Sequence, residues 1–263
     1  MIVKANGLVI REAFSGESDK VLTVLTAEFG KISVFARGVR KLTSKYLTAT
    51  QLFSYSSFVM KKSETMYFMQ EAEYLEGFFG IRRDVVALSL ATYFAEVVSD
   101  VSTEERGEGE ILSLILNCLY MLCEKKKADG TVKAVFELRL ASLLGFTPNL
   151  VGCARCGKYE CETAYLDVMD GEFTCDGCRR AAEDAPLDTL SSYDTYGEAS
   201  ITVPVSYPVL SVMRHIVYAK PKKIFSFSED GLNVDELSRG AEKYLLNHLE
   251  RSFNSLEFYR TLI

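Results

Sequence analysis

The sequence is poor in several things that would have narrowed its chemistry at once. It holds two histidines, His215 and His248, so a His-rich catalytic metal site has little material. It has no G-x-x-x-x-G-K-[ST] phosphate loop and no G-x-G-x-x-G after a strand. The glycines of RGEGE, Arg106 to Glu110, sit in a charged linker instead. There is no G-x-S-x-G nucleophile elbow, and the H-x-E with P-C-x-x-C pattern of zinc deaminases is missing. The longest apolar run, Ile111 to Cys123, is 13 residues, contains Asn117 and is too short to cross a bilayer. The first residues, MIVKANGLVIREAF, lack the basic, apolar and small-residue regions of a signal peptide, so a cytoplasmic protein is expected. Together these absences favour a binding protein over an enzyme.

The most informative absence is of acid. Between Phe29 and Ser63 there is no Asp or Glu. The same window holds Lys31, Arg37, Arg40, Lys41, Lys45, Lys61 and Lys62, a local net of +7 in a chain whose total is −6. Such segregation says more about partners than the mean charge does. The bulk composition is otherwise ordinary: 263 residues, 48% hydrophobic and 25% charged, enough for one large domain or two to three small ones. Seven cysteines are an odd number, and in a reducing compartment they are unlike a disulfide framework.

Residues 1–80 read as β. KANGLVIREAF, two β-branched runs within KVLTVLTAEFGKISVFARG, SYSSFVMKK and TMYFMQEAEYLE make about five strands with turns at short intervals. The last two read as a hairpin around Lys62–Glu64. An OB-fold is the leading five-stranded candidate, and an SH3-like barrel satisfies the same pattern. From about Arg82 the period becomes helical. Val85, Leu88, Tyr93, Val97 and Val101 fall near one stripe, and Asp84 suits a first turn. Ile111 to Lys127 is apolar on most sides and ends in three lysines, which favour a helix carboxyl end. A third helix is expected from a Thr131 cap to Gly145, with Pro148 beyond it. A polar stretch containing Pro186 and Gly197 precedes two further helices, the second striped by Leu237, Tyr244, Leu245 and Leu249. The expected partition is α+β and multidomain: a barrel over 1–80, then a helical domain over 81–263 with a cysteine module inserted at about 150–180.

That module has C-x2-C, 18 intervening residues, and C-x2-C. Each knuckle lets two thiolates meet one ion, and two knuckles supply the four soft ligands of a structural zinc site. AYLD and EFT around Asp170–Gly171 read as a hairpin that would return the second knuckle to the first. The expected ligands are Cys153, Cys156, Cys175 and Cys178 for one structural Zn2+. Cys161 could replace a ligand but is expected as a bystander, and Cys118 and Cys123 as small core residues. A redox C-x-x-C lacks its βαβ setting here.

In the acid-free window the cations are interleaved with Phe35, Tyr46, Phe53, Tyr55 and Phe58. Binding single-stranded nucleic acid needs both parts: cations for phosphates, and exposed rings for bases. A small barrel also needs aromatic filling, so the rings are expected chiefly as core. The cations are the candidate contacts with nucleic acid, and little sequence specificity is expected.

The order of features, a basic barrel before a helical domain with a four-cysteine module, resembles the RecO family of bacterial DNA repair and recombination mediators. The resemblance runs over nearly the whole chain. It is carried by GESDKVLTVLTAEFGKISVFARGVRK (Gly16 to Lys41), FELRLASLLGFTPNLVGCARCG (Phe136 to Gly157) and the ending YLLNHLERSFNSLEFYRTL. It implies an OB-fold that binds single- and double-stranded DNA, annealing of complementary strands, and work with RecR to load RecA on DNA coated by single-strand binding protein. It also implies no nucleotide hydrolysis and a nucleoid location in bacterial cytoplasm. By resemblance the family's basic run matches Lys31, Arg37, Arg40 and Lys41, with Lys45 following, and the zinc ligands match the four named cysteines. Many relatives have arginines just before FEL where this chain has Lys133, Ala134 and Val135. Lys133 and Arg139 are therefore the cations that helix would offer an acidic protein tail. Two other classes fit parts of the sequence: a zinc-ribbon adaptor that binds only proteins, and a thiol oxidoreductase.

Overall fold

The computed structural model of the chain describes residues 1–104, 107–183 and 201–263. The linker containing Pro186 and Gly197, and Arg106 of the RGEGE segment, lie outside the described residues. The described chain divides into two compact units, Met1–Lys126 with Phe253–Ile263, and Lys127–Ser252.

The first unit is built on alternation. In β3 (Gly30–Ala36), Ile32, Val34 and Ala36 point inward while Lys31, Ser33 and Phe35 point outward, the two-residue period of a strand with one buried face. β2 (Asp19–Thr26) alternates likewise over most of its length, whereas β1 (Ile2–Ser15) and β4 (Ser54–Lys62) each carry a run of consecutive buried residues and β5 (Tyr67–Gly77) buries only Tyr67. The five strands close into a barrel in the order β1-β2-β3-β5-β4, and β4 returns to β1. All pairings are antiparallel except β3 with β5, where Val34 faces Tyr67 and Phe35 faces Phe68. Val9, Leu22, Val24, Ile32, Phe58 and Met60 are among the residues filling its interior. Gly7 does not interrupt β1. A Cβ there would lie 2.4 Å from Val24 Cγ1 and 2.9 Å from the Leu25 carbonyl, so glycine lets β2 pass close.

Helices α1 (Val85–Val101), α2 (Gly109–Glu124) and α7 (Asn254–Arg260) belong to the same unit. Asp84 is the cap of α1 rather than part of its first turn; its carboxylate accepts from the Val86 and Ala87 amides at 2.9 and 3.1 Å. The expected stripe on α1 is displaced. Val85 is 56% exposed, whereas Ala87, Leu90, Ala91, Phe94 and Val98 are buried with Tyr93 and Val97. The barrel is tied to this helical layer by backbone. The Lys31 amide donates to the Thr103 carbonyl, and the Glu108 amide to Ala27.

The second unit packs α3 (Asp129–Leu143) against α5 (Tyr207–Tyr218) and α6 (Val234–Leu249). The start of α3 differs from expectation. Ala128 is the cap residue, and Thr131 lies inside the helix, fully buried. The helix ends as expected, with Gly145 at φ +99° and the Phe146 amide returning to the Ala141 carbonyl. The hairpin forms from β6 (Thr163–Asp167) and β7 (Phe173–Cys175), and β8 (Thr202–Ser206) adds a third strand beside β6 that the sequence reading did not contain. Helix α4 (Asp176–Glu183) follows β7 directly. Among the described residues no helix is long and apolar enough to cross a membrane.

Candidate nucleic-acid interface and metal centre

The seven cations of the acid-free window have separate fates. Arg37, Lys41, Lys45, Lys61 and Lys62 are exposed. Arg40 is half-buried: its guanidinium lies 4.1 Å over the Phe14 ring and donates to the Gly16 carbonyl at 3.0 Å. That stacking holds the fork in one orientation at the outer surface of the β1–β2 hairpin. Lys31 is withdrawn. Its ammonium donates to the Ser99 carbonyl near the carboxyl end of α1, where a cation is favoured by the helix dipole, so this charge serves the barrel–helix junction.

An acid outside the window organises it. Asp19 Oδ1 accepts from the Gly38 amide at 2.7 Å and from Ser18 Oγ at 3.1 Å. The Gly38 hydrogen bond, with that of Ser18 and the charges of Arg37 and Lys41, holds the Asp19 carboxyl below the usual carboxylate range. The Arg40 amide donates to the Ser18 carbonyl, closing the loop on the hairpin tip. Lys45 is less isolated than the sequence suggests. It lies 4.9 Å over the Tyr46 ring and shares a groove with Lys4 and two carboxylates of β5, Glu71 and Glu73.

The rings divide between core and surface. Phe53 and Phe58 are core, at 3% and 0% exposure. Phe35, Tyr46 and Tyr55 are half-buried, and Phe68 and Phe14 are exposed at 39% and 67%. Phe68, Phe14 and Asp19 are the residues that sequence reading missed. In MYFMQ both Tyr67 and Phe68 are apolar, so composition cannot say which ring faces out. The signal that could have found Phe68 is the register of the β4–β5 turn, which pairs Lys62 with Tyr67 and Lys61 with Phe68.

In the second unit, Cys153, Cys156, Cys175 and Cys178 bring their sulfurs within 4.8 Å of one another. The first knuckle is shaped by Gly157 at φ +71°, whose amide donates to the Cys153 carbonyl at 2.8 Å. Ala154 N donates to the Phe173 carbonyl at 2.9 Å, and Cys175 N to Cys153 Sγ at 3.3 Å, so the hairpin carries one knuckle to the other. Cys178 lies in the first turn of α4. The thiols differ in acidity. Burial acts to raise Cys153, but the amides of Cys175, Cys156 and Arg155 outweigh it and hold the thiol at about 6. Cys178 is pushed up to about 12, chiefly by its hydrogen bond with Cys156. Cys156 and Cys175 sulfurs are 3.7 Å apart, against about 3.8 Å for the edge of a tetrahedron with zinc–sulfur bonds of about 2.3 Å. The donor set and spacing therefore fit a tetrathiolate metal site. Cys161 is buried but stands outside this group, and Cys118 is fully buried with its thiol pushed up by burial. Neither histidine approaches the cysteines as a ligand. His215 Nε2 pairs with the Lys223 carbonyl at 2.8 Å, and His248 stacks on Phe146.

The two cations expected to meet a protein partner are used internally. Lys133 is 1% exposed; its ammonium meets Glu137 at 3.0 Å and Glu242 at 2.7 Å, joining α3 to α6. Arg139 donates to the Val217 carbonyl at 2.7 Å and to Ile216 at 3.4 Å, at the carboxyl end of α5. Burial removes Lys133 from the surface that an acidic tail could reach, which corrects that expectation; Arg139 is half-buried with its guanidinium engaged.

Two family models cover almost the whole chain. One, described as Recombination protein O N terminal, matches residues 1–78, and one described as Recombination protein O C terminal matches residues 82–257. The chain is 30% identical over 260 residues to the DNA repair protein RecO of Acetivibrio thermocellus, spanning 99% of this chain and 97% of that protein. It is 27% identical over 263 residues to the RecO of Alkaliphilus metalliredigens, spanning 100% of both. To the RecO of Bacillus pumilus it is 32% identical over 178 residues, 68% of this chain and 69% of that protein.

Proposed function

The chain belongs to the RecO family of DNA repair proteins, and from that premise we propose that it is a non-enzymatic recombination mediator. In this reading the barrel of residues 1–80 is an OB-fold that binds single- and double-stranded DNA without reading sequence. The strand order, with β3 and β5 parallel at the closure, supports the OB-fold assignment. The observation that carries the reading is the outward placement of Arg37, Lys41, Lys61 and Lys62 in a stretch without carboxylates. Phosphates of two strands held there repel each other less, because their counterions are replaced by fixed cations. That favours annealing of complementary strands. The same reading extends, on the support of family membership, to helping RecR load RecA on DNA coated by single-strand binding protein, in the cytoplasm at the nucleoid.

The metal fits as a structural Zn2+ held by Cys153, Cys156, Cys175 and Cys178. Bound there, zinc would supply a fixed crosslink between the two knuckles and no reaction chemistry. The residues themselves carry the module onto its unit: Tyr218 Oη donates to the Pro148 carbonyl at 3.1 Å and accepts from the Leu150 amide at 3.0 Å. Residues 81–263 would present surfaces for protein partners.

The test is annealing of complementary oligonucleotides, with and without single-strand binding protein. The protein should accelerate it at low salt, less so as salt rises, and a variant carrying Arg37→Glu and Lys41→Glu should lose most of the acceleration. No acceleration at any salt would sink the reading and leave a zinc module that binds proteins alone.

A further inference from the structure

The cross-strand register of the barrel aligns outward side chains into one row. Val21 of β2 faces Phe35 of β3, Phe35 faces Phe68 of β5, Phe68 faces Lys61 of β4, and Lys61 faces Ile2 of β1. Each is flanked in its own strand by an inward residue: Leu22, Val34, Tyr67, Met60 and Val3 are all buried. The parity of five strands therefore points this row out of the barrel. At its centre the Phe35 and Phe68 rings stand 5.9 Å apart, tilted by 51°. Phe68 is 39% exposed and Ile2 69%.

The surroundings say what such a row would hold. Lys61 is the direct cross-strand neighbour of Phe68, and Arg37 is the next outward residue after Phe35; both are exposed. Gln70, the next outward residue after Phe68, is uncharged, and the β5 carboxylates begin only at Glu71. Apolar rings flanked by cations, with no acid in the row, are complementary to a polyanion whose bases are open to stacking. A duplex offers its phosphates but hides its base faces. A protein partner with an acidic, apolar segment would meet the cations too, but nothing else in the row selects it.

We propose that Phe35 and Phe68 form a base-stacking platform through which the barrel favours single-stranded over duplex DNA. The inference rests on the reading of the barrel as the nucleic-acid module and names the residues that set its preference. Cations of the neighbouring loop hold either form of DNA; the two rings add contact that only unpaired bases can make.

Phe35→Leu and Phe68→Leu keep apolar bulk in the strands and remove the π face. Each should lower affinity for an oligo-dT strand by about tenfold. Affinity for a hairpin duplex should stay within about twofold, and the salt dependence of both should be unchanged, since no phosphate contact is lost. Phe68→Tyr should restore oligo-dT binding. Equal losses on both DNAs, no loss on either, or an altered salt dependence would each overturn the platform. Charge reversal at Arg37 and Lys41 separates this from the parent reading. If that variant binds like wild type while the ring variants selectively lose oligo-dT, the cation assignment fails and the platform stands; if neither set matters, both fail. In the unaltered protein, photocrosslinking of a strand carrying 5-iodouracil should map to Phe35 or Phe68, and crosslinks confined to other segments would also overturn it.

Discussion

Two sets of cations in this protein, one in each unit, are placed in opposite ways. In the barrel unit, Arg37, Lys41, Lys61 and Lys62 stand in solvent on a stretch that contains no acid. In the helical unit, Lys133 and Arg214 are 1% and 5% exposed. Lys133 sits between Glu137 and Glu242, and Arg214 donates to the carbonyls of Leu150 and Tyr159 while stacking 3.9 Å over the Tyr159 ring. A buried cation with its partners is held in place by the desolvation that losing them would expose. An exposed cation keeps much of its field available to a ligand, even where an acid such as Asp19 lies close to Arg37 and Lys41. Lys31 and Lys20 show that the rule is about placement and not about unit. Both are in the barrel, yet one bonds the Ser99 carbonyl and the other pairs with Glu12 at 2.6 Å.

This contrast can be broken in graded ways. The largest effect should come from the metal centre. Cys175→Ser removes one of four ligands in a class of site whose binding contributes about 10–16 kcal/mol in small zinc domains. The purified protein should carry about one zinc and the variant almost none, by elemental analysis, with a lower melting temperature. A metal-free protein of full stability would rule out a structural site.

Next, Lys133→Ala removes the ammonium that Glu137 and Glu242 both meet inside the second unit. Removing one partner of a buried ion pair costs about 3–5 kcal/mol, which should appear as a lower denaturant midpoint. Oligonucleotide affinity of the folded fraction should hold. If stability holds and DNA or partner binding falls, Lys133 acts at a surface after all.

A smaller effect is expected at Asp19, whose carboxylate holds the Gly38 amide. Its folded pKa is depressed, so its contribution is fully present above the ordinary aspartate value of about 3.9 and is lost as pH falls through the lower folded value. Asp19→Asn should speed hydrogen exchange at the Gly38 amide at neutral pH and remove the acid-side step expected in the wild type. Equal exchange in both proteins would show that the loop is held by other contacts.

Much of the barrel was legible because alternation in stretches such as KISVFA is a local property, and turns at Gly30 and Gly38 punctuate it. The metal centre was legible for the same reason: C-x2-C spacing and the Asp170–Gly171 hairpin lie within 26 residues. What was not legible depends on distant partners. Lys133 finds Glu242 more than a hundred residues later, and the carbonyls that hold Arg139 belong to α5. Helix α3 is buried on nearly every side, which erases the polar stripe that would have shown its inner face. The outward turn of Phe68 required the strand register, and Asp19 joins the basic loop only when β2 and β3 pair.

Salt dependence distinguishes DNA binding by the barrel's exposed cations from binding by the helical unit's engaged ones. Single-strand affinity should be measured across salt for the wild type, for Arg37→Glu with Lys41→Glu, and for Arg139→Met. At about −0.7 per phosphate contact, losing two contacts should reduce the slope of log K against log salt by about 1.4, while Arg139→Met leaves it unchanged. Parallel slopes for wild type and the barrel variant, or a reduced slope for Arg139→Met alone, would contradict the account.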